Sequence, residues 1–344
     1  MLERQIGRAE AGQRLDKYLL KYLNQAPKSF VYKMLRKKAI TLNGRKAEGS
    51  AVISEGDVVR LYLADETIRS FRKEGQSGRT SEAKSKAIPE PEVLFENEDI
   101  LILNKPAGLL SQGDGSGLRS VPDFLSDYLV RSGALTADDL AFYRPSPCHR
   151  LDRNTSGLLL CGKTMNGQQS LSHLIRRRDV KKLYLAVVHG SVKEGRTARA
   201  YGRKDPEANR LIIRDTPAEG YDELLTAYRA LARSEGFSLI EVELITGKPH
   251  QIRAHMAYLG HPLVGDRKYG RTGEWPDRDR SLKINRQMLH ASSMVFPEGC
   301  EVAPTLAGRV FTVPVPEDMK RVLKLLTLPV PTAPLIGRHE DNKE

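Results

Sequence analysis

The sequence predicts an α+β protein whose main domain carries a mixed, largely antiparallel central sheet with flanking helices. Three observations lead there. Strand-like runs at 100–103 (ILIL), 157–161 (GLLLC), 183–189 (LYLAVVH) and 237–245 (FSLIEVELI) are scattered through the second part of the chain. Helical stretches fall between them irregularly, without the repeating strand–helix–strand order of a parallel sheet. Ahead of this region lies a short basic unit, set off by a polar stretch without apolar periodicity.

In that first unit, Leu15, Tyr18, Leu19, Tyr22 and Leu23 fall at helical spacing. Phe30, Val31, Met34 and Leu35 repeat the pattern, with Lys33, Arg36, Lys37 and Lys38 on the other side. Asn43-Gly44 is a hairpin signal, and residues 56–63 (GDVVRLYL) alternate as a strand does. Residues 12–63 thus read as two short helices, a tight turn and a small sheet. Residues 64–90 are polar and end in prolines, which predicts a flexible linker with the small unit mobile on it. The main domain is expected over 91–328. Helices are expected at 167–177 and 250–259, the latter bracketed by Pro249 and Gly260. Residues 329–344, rich in proline and charge, are expected to be a disordered tail.

At 344 residues the chain is long enough for two domains, and its 40% hydrophobic and 28% charged residues fit a globular protein. No apolar run follows the start or approaches membrane-spanning length, so neither a secretory signal nor a membrane anchor is expected. Cys148, Cys161 and Cys300 lack metal-ligand spacing and suggest no disulfide framework, so a cytoplasmic location is expected. The net charge of +12 points to a polyanionic partner. Residues 1–63 hold 13 Lys and Arg against 6 Asp and Glu, which concentrates most of the excess in under a fifth of the chain. His250 and His255 do not fit a metal site on one helix face, and no HExxH occurs. Neither NKPAG (104–108) nor Thr246-Gly247-Lys248 matches a nucleotide-binding loop. No metal and no cofactor are expected.

The most informative stretch is HRLDRNTSGLLL, residues 149–160. Asp152 stands between Arg150 and Arg153, whose charge favours the carboxylate, on a loop that feeds an apolar strand. An ionised carboxylate over a rigid sheet is a candidate nucleophile or base.

This motif resembles the active-site signature of the pseudouridine synthases, in the RluA/RluC/RluD branch. The related small-subunit branch typically reads GRLD there, so His149 argues against it. NKPAG at 104–108, KKLYLAVVHG at 181–190, LITGKPHQIRAHM at 244–256, GDRKYG at 265–270 and LHA at 289–291 follow the family pattern in order. Lys248 departs from it, since the family most often has arginine there; lysine keeps the charge but loses the bidentate fork. The resemblance implies that Asp152 is catalytic. It also implies that Arg150 takes the place of a flipped nucleotide, Tyr184 stacks on the uracil and Arg253 pairs with Asp152.

Residues 12–63 resemble the alpha-L RNA-binding module. That likeness implies a phosphate-facing surface made of Arg14, Lys28, Lys33, Arg36, Lys37, Lys38, Arg45 and Lys46. The expected function is isomerisation of uridine to pseudouridine in RNA, most closely as in RluC-type enzymes of the large ribosomal subunit, acting on 23S-type RNA as a monomer. A transfer-RNA target, or a non-catalytic RNA-binding assembly factor on the same fold, stays open at this point.

Overall fold

The computed structural model describes residues 1–72, 88–270 and 275–332. The small unit contains β1 (Leu2–Gln5), α1 (Leu15–Tyr22), α2 (Lys28–Arg36), β2 (Ile40–Leu42), β3 (Val58–Leu61) and α3 (Asp65–Phe71). Its sheet runs β1-β3-β2. α1 buries Leu15, Tyr18, Leu19 and Tyr22, and α2 buries Val31 and Leu35. They meet over Ile40, Ile53, Val59 and Leu61, so each helix is held by its apolar stripe. The lysines and arginines of α2 face outward. At the hairpin signal, Asn43 (φ 53°) and Gly44 (φ 73°) are both left-handed, the geometry of a type I′ turn. Leu42 and Arg45 exchange both backbone hydrogen bonds across it.

Both edges of this unit differ from the sequence reading. Pairing of β1 with β3 carries it back to Leu2. The segment expected to be linker opens as α3, because Ile68 and Phe71 find the small unit's core; residues 73–87 lie outside the described residues. At the other end, Leu328 is buried and Val330 packs beside it, while 333–344 lie outside the described residues.

The main domain contains β4 (Glu92–Glu96), β5 (Ile100–Lys105), α4 (Val121–Arg131), β6 (Ser146–Pro147), β7 (Ser156–Gly162), α5 (Met165–Arg177), β8 (Lys181–His189), β9 (Arg196–Asp205), β10 (Arg210–Arg214) and β11 (Asp222–Ser234). It continues with β12 (Phe237–Leu244), α6 (Gln251–Tyr258), α7 (Trp275–Ser281), β13 (Leu289–Val295), β14 (Val310–Thr312) and α8 (Glu317–Leu325). The sheet runs β10-β9-β11-β12-β8-β13-β7-β5-β4, with β14 on β13 and β6 on β7. Among the described residues only β7 and β13 pair in parallel. β7 and most of β8 are buried on both faces, which explains their unbroken apolar runs.

The small unit does not stand clear of the main domain. Phe142 stacks on Tyr18 and Tyr22, with ring centroids at 4.8 and 4.6 Å, and the Arg4 guanidinium lies 4.0 Å from its ring centre. Arg4 pairs with Asp139 at 2.7 Å, Arg8 with Asp99 at 3.1 Å, and Met165 N–H donates to Ala9 O at 3.0 Å. The mobile tether expected from composition is therefore met by a docked interface.

Candidate active site

Asp152 sits on the loop before β7, and that loop is clamped at nearly every residue. The β6–β7 ladder begins normally, with Cys148 N–H donating to Leu160 O at 2.8 Å. The answering bond is unusual: Leu160 N–H donates to the His149 ring Nε2 at 3.2 Å. Burial pushes the His149 pKa down to about 3, so the ring stays a neutral acceptor. Ser111 brackets Leu151, its hydroxyl donating to the carbonyl at 2.8 Å and accepting the N–H at 3.1 Å. The buried ammonium of Lys105 donates to the carbonyls of Pro106, Leu109 and Arg153. Burial, with Arg286 nearby, pushes its pKa down to about 7. Arg286 donates to Asn154 O at 3.1 Å, and Thr155 N–H to Asp152 O at 3.0 Å.

Gly157 lets the loop run into the sheet. Its φ is 113°, and a Cβ there would stand 2.1 Å from Ala291 O. The TSG and LHA motifs are thus two sides of one close approach, the parallel pairing of Ser156–Gly157 with His290–Ala291. Ser156 Oγ and His290 Nδ1 lie 2.9 Å apart beneath it.

α6 supplies the partner. Arg253 Nη1 donates to Asp152 Oδ2 at 2.8 Å. Its other edge forks onto Asp266, with Nε to Oδ2 at 2.6 Å and Nη2 to Oδ1 at 2.9 Å. Burial works against the Arg253 charge, yet the two carboxylates hold its pKa above the usual value. Asp266 is buried too, which alone would raise its pKa; Arg253 and the backbone N–H groups of Lys268 and Tyr269 bring it below the ordinary carboxylate value. Arg253 is therefore a fixed cation with one free edge, and that edge holds Asp152.

Tyr184 lies on β8, next to Ala291 on β13, and is 4% exposed. Burial first, then the charge of Asp152, push its phenol well above the ordinary value, so the hydroxyl keeps its proton at neutral pH. Arg150 is exposed and makes no ion pair among the described residues. Asn154, Arg210, Arg253, Lys268 and Arg286 line a cleft of about 420 Å³. Lys248, the departure from the family pattern, pairs with Asp222 at 2.7 Å. Among the described residues no group of three or more His, Cys, Asp or Glu could hold a metal ion. Nor is any described helix long and apolar enough to cross a membrane.

Asp152, Arg253 and Tyr184 thus come together, while Arg150, two residues before Asp152, is exposed. Arg14, Lys28, Lys33, Arg36, Lys37, Lys38, Arg45 and Lys46 are all exposed on the small unit. Arg14 is the exception in kind, because it spends its guanidinium on Asp16 at 2.7 Å. Sequence reading assigned no role to Lys105, Ser111, His250, Asp266, Tyr269 or Arg286. Lys105, His250, Asp266 and Tyr269 did fall inside the quoted motifs, and those motifs were the available signal.

The model of the RNA pseudouridylate synthase family matches residues 99–258, and that of the S4 domain matches residues 13–59. The ribosomal large subunit pseudouridine synthase C of Pasteurella multocida is 33% identical over 323 residues, covering 93% of this chain and 92% of that protein. Its namesake in Vibrio parahaemolyticus is 32% identical, over 83% and 85% of the two chains. Among solved structures, human RNA pseudouridylate synthase domain containing 4 superposes with a TM-score of 0.55 at 20% identity, covering 70% of this chain and 94% of that one, a likeness of fold. By two matching domains in the right order, and by relatives alike over nearly its whole length, this chain belongs to the RNA pseudouridine synthase family.

Proposed function

We propose that this protein isomerises uridine to pseudouridine in large-subunit ribosomal RNA, with Asp152 as the catalytic carboxylate. The reading rests on one observation above all: a carboxylate held on one oxygen by an arginine that lines a basic cleft and that a second, buried aspartate fixes in place. The ribosomal target is supported by the names of the relatives.

The reaction is balanced without an external reagent. The C1′–N1 bond breaks, the uracil turns in place, C5 bonds to C1′, the C5 proton leaves and N1 takes one up. Asp152 serves this either by attacking C1′ or by removing the 2′ proton to form a glycal. Reaching C1′ requires the nucleotide to leave its stack, at a cost of a few kcal/mol. Arg150, exposed and without an ion pair among the described residues, is suited to fill the vacated stack with its planar cation. Tyr184 offers a ring face to the base and a protonated hydroxyl. The S4 unit contributes RNA contacts through the exposed lysines and arginines of α2 and the Asn43-Gly44 turn. The enzyme acts in the cytoplasm as a monomer.

Asp152→Asn tests this. The variant is expected to bind RNA as the parent does and to form no pseudouridine, read by mass shift after carbodiimide labelling of large-subunit RNA. Product at near the parental rate would overturn the assignment.

A further inference from the structure

The two oxygens of Asp152 are not equivalent. Oδ2 accepts the 2.8 Å hydrogen bond from Arg253. Oδ1 has no hydrogen bond among the described residues, and His250 Nε2 lies 3.8 Å from it. His250 is placed there at a conformational cost. It is the N-cap of α6 with φ 59° and ψ 14°, left-handed backbone that few non-glycine residues adopt and that tends to be kept where function needs it. Its side chain accepts no hydrogen bond from the helix, so capping does not account for it.

The other ring nitrogen meets Tyr269. Tyr269 Oη accepts from Leu211 N–H at 2.8 Å and lies 3.1 Å from His250 Nδ1, to which its own proton is free to be donated. With Nδ1 accepting, the ring proton sits on Nε2, toward Asp152. The same Tyr269 ring stands edge-on to His250 at 5.8 Å and lies 5.4 Å beneath the Arg253 guanidinium. One tyrosine therefore braces both neighbours of the carboxylate.

We propose that His250 is a positioning residue for Asp152, and that Oδ1 is the oxygen that meets the substrate sugar. The inference rests on the reading of Asp152 given above. A full hydrogen bond to Oδ1 would tie up the lone pair needed for reaction. An N–H dipole aimed from 3.8 Å orients the carboxylate without bonding it, while Arg253 anchors the opposite oxygen. Burial lowers the His250 pKa below its ordinary value, which is consistent with a neutral ring.

The experiment compares two variants under steady-state kinetics on large-subunit RNA. His250→Asn tolerates the left-handed backbone but is too short to reach Oδ1. His250→Gln restores an N–H at the reach of Nε2. His250→Asn is expected to lower kcat by roughly three- to tenfold, less than a full hydrogen bond to a charged group would be worth. KM should stay within about twofold and the melting temperature should hold, and His250→Gln should recover at least part of kcat. Unchanged kcat in His250→Asn, a change confined to KM, or a loss that glutamine does not recover would each overturn the proposal. Asp152→Asn is run alongside. Activity in that variant sinks the underlying reading, whereas an inert Asp152→Asn beside a fully active His250→Asn sinks only the role given to His250.

Discussion

Arg253 makes three directed hydrogen bonds to two carboxylates from one planar group. Lysine carries the same charge on a single nitrogen and cannot satisfy Asp266 and Asp152 in that geometry at once. Arg253→Lys is therefore expected to lower kcat by roughly tenfold or more, about what one charge-assisted hydrogen bond is worth. KM should move less, because the cleft keeps its charge. Single-turnover kinetics with saturating enzyme would read this directly, and an unchanged rate would mean that Asp152 is aimed by other means. Much of this site was legible in the chain as motifs. What was not legible was the wiring. Arg253 and Asp152 are 101 residues apart, and nothing in either motif says that Asp266 holds the guanidinium between them.

At the scale of elements, α2 presents one apolar face and one basic face. Replacing Lys33, Arg36, Lys37 and Lys38 with glutamine should leave the fold intact and weaken RNA binding. Each phosphate contact removed should flatten the log–log dependence of affinity on salt by roughly 0.7–0.9. A slope equal to the parent's, measured by titration across salt concentrations, would remove α2 from the RNA surface. The Phe142 stack makes a second prediction. Phe142 is 3% exposed and packs on Tyr18 and Tyr22. Phe142→Ala is expected to cost about 3–5 kcal/mol of packing at that joint. It should release the small unit, seen as a larger radius of gyration in solution scattering; an unchanged radius would show that the polar contacts suffice. Phe142 also shows why the docked arrangement escaped the sequence reading. The short run Leu140–Tyr143 says nothing about which distant helix Phe142 enters. In the main domain the strands read correctly were mostly buried ones with continuous apolar runs, while in the small unit β3 was read from its alternation. The longest of the described strands, β11, is mostly half-buried and carries Arg229 and Arg233 among its apolar residues, and it gave no comparable run.

At the scale of the whole molecule, burial acts most strongly on three of the described histidine rings. The pKa of His149 is pushed down to about 3, and those of His255 and His290 to about 4, from an ordinary 6.5. Below pH 6.5 the unfolded chain takes up protons that the native state refuses until about pH 4. Stability therefore falls as the pH drops through that window, by up to about 1.4 kcal/mol per pH unit for each ring. Below it, the lowered carboxylates of Asp266 and Asp318 carry the loss further, since protonating them removes their arginine pairs. Urea unfolding at pH 7, 6 and 5 should show the midpoint declining at each step. A flat profile would mean that these rings gain partners that hold their protons in the native state.

The joint at Phe142 also bears on how a transcript is chosen. A reader on a loose cord samples any separation between its two grips, so it tolerates any target that satisfies each grip in turn. Two grips locked to one frame work as a caliper. An RNA held by both must fold so that its reactive uridine and its anchoring helix stand one fixed span apart, and a transcript with the right bases at the wrong spacing is passed over.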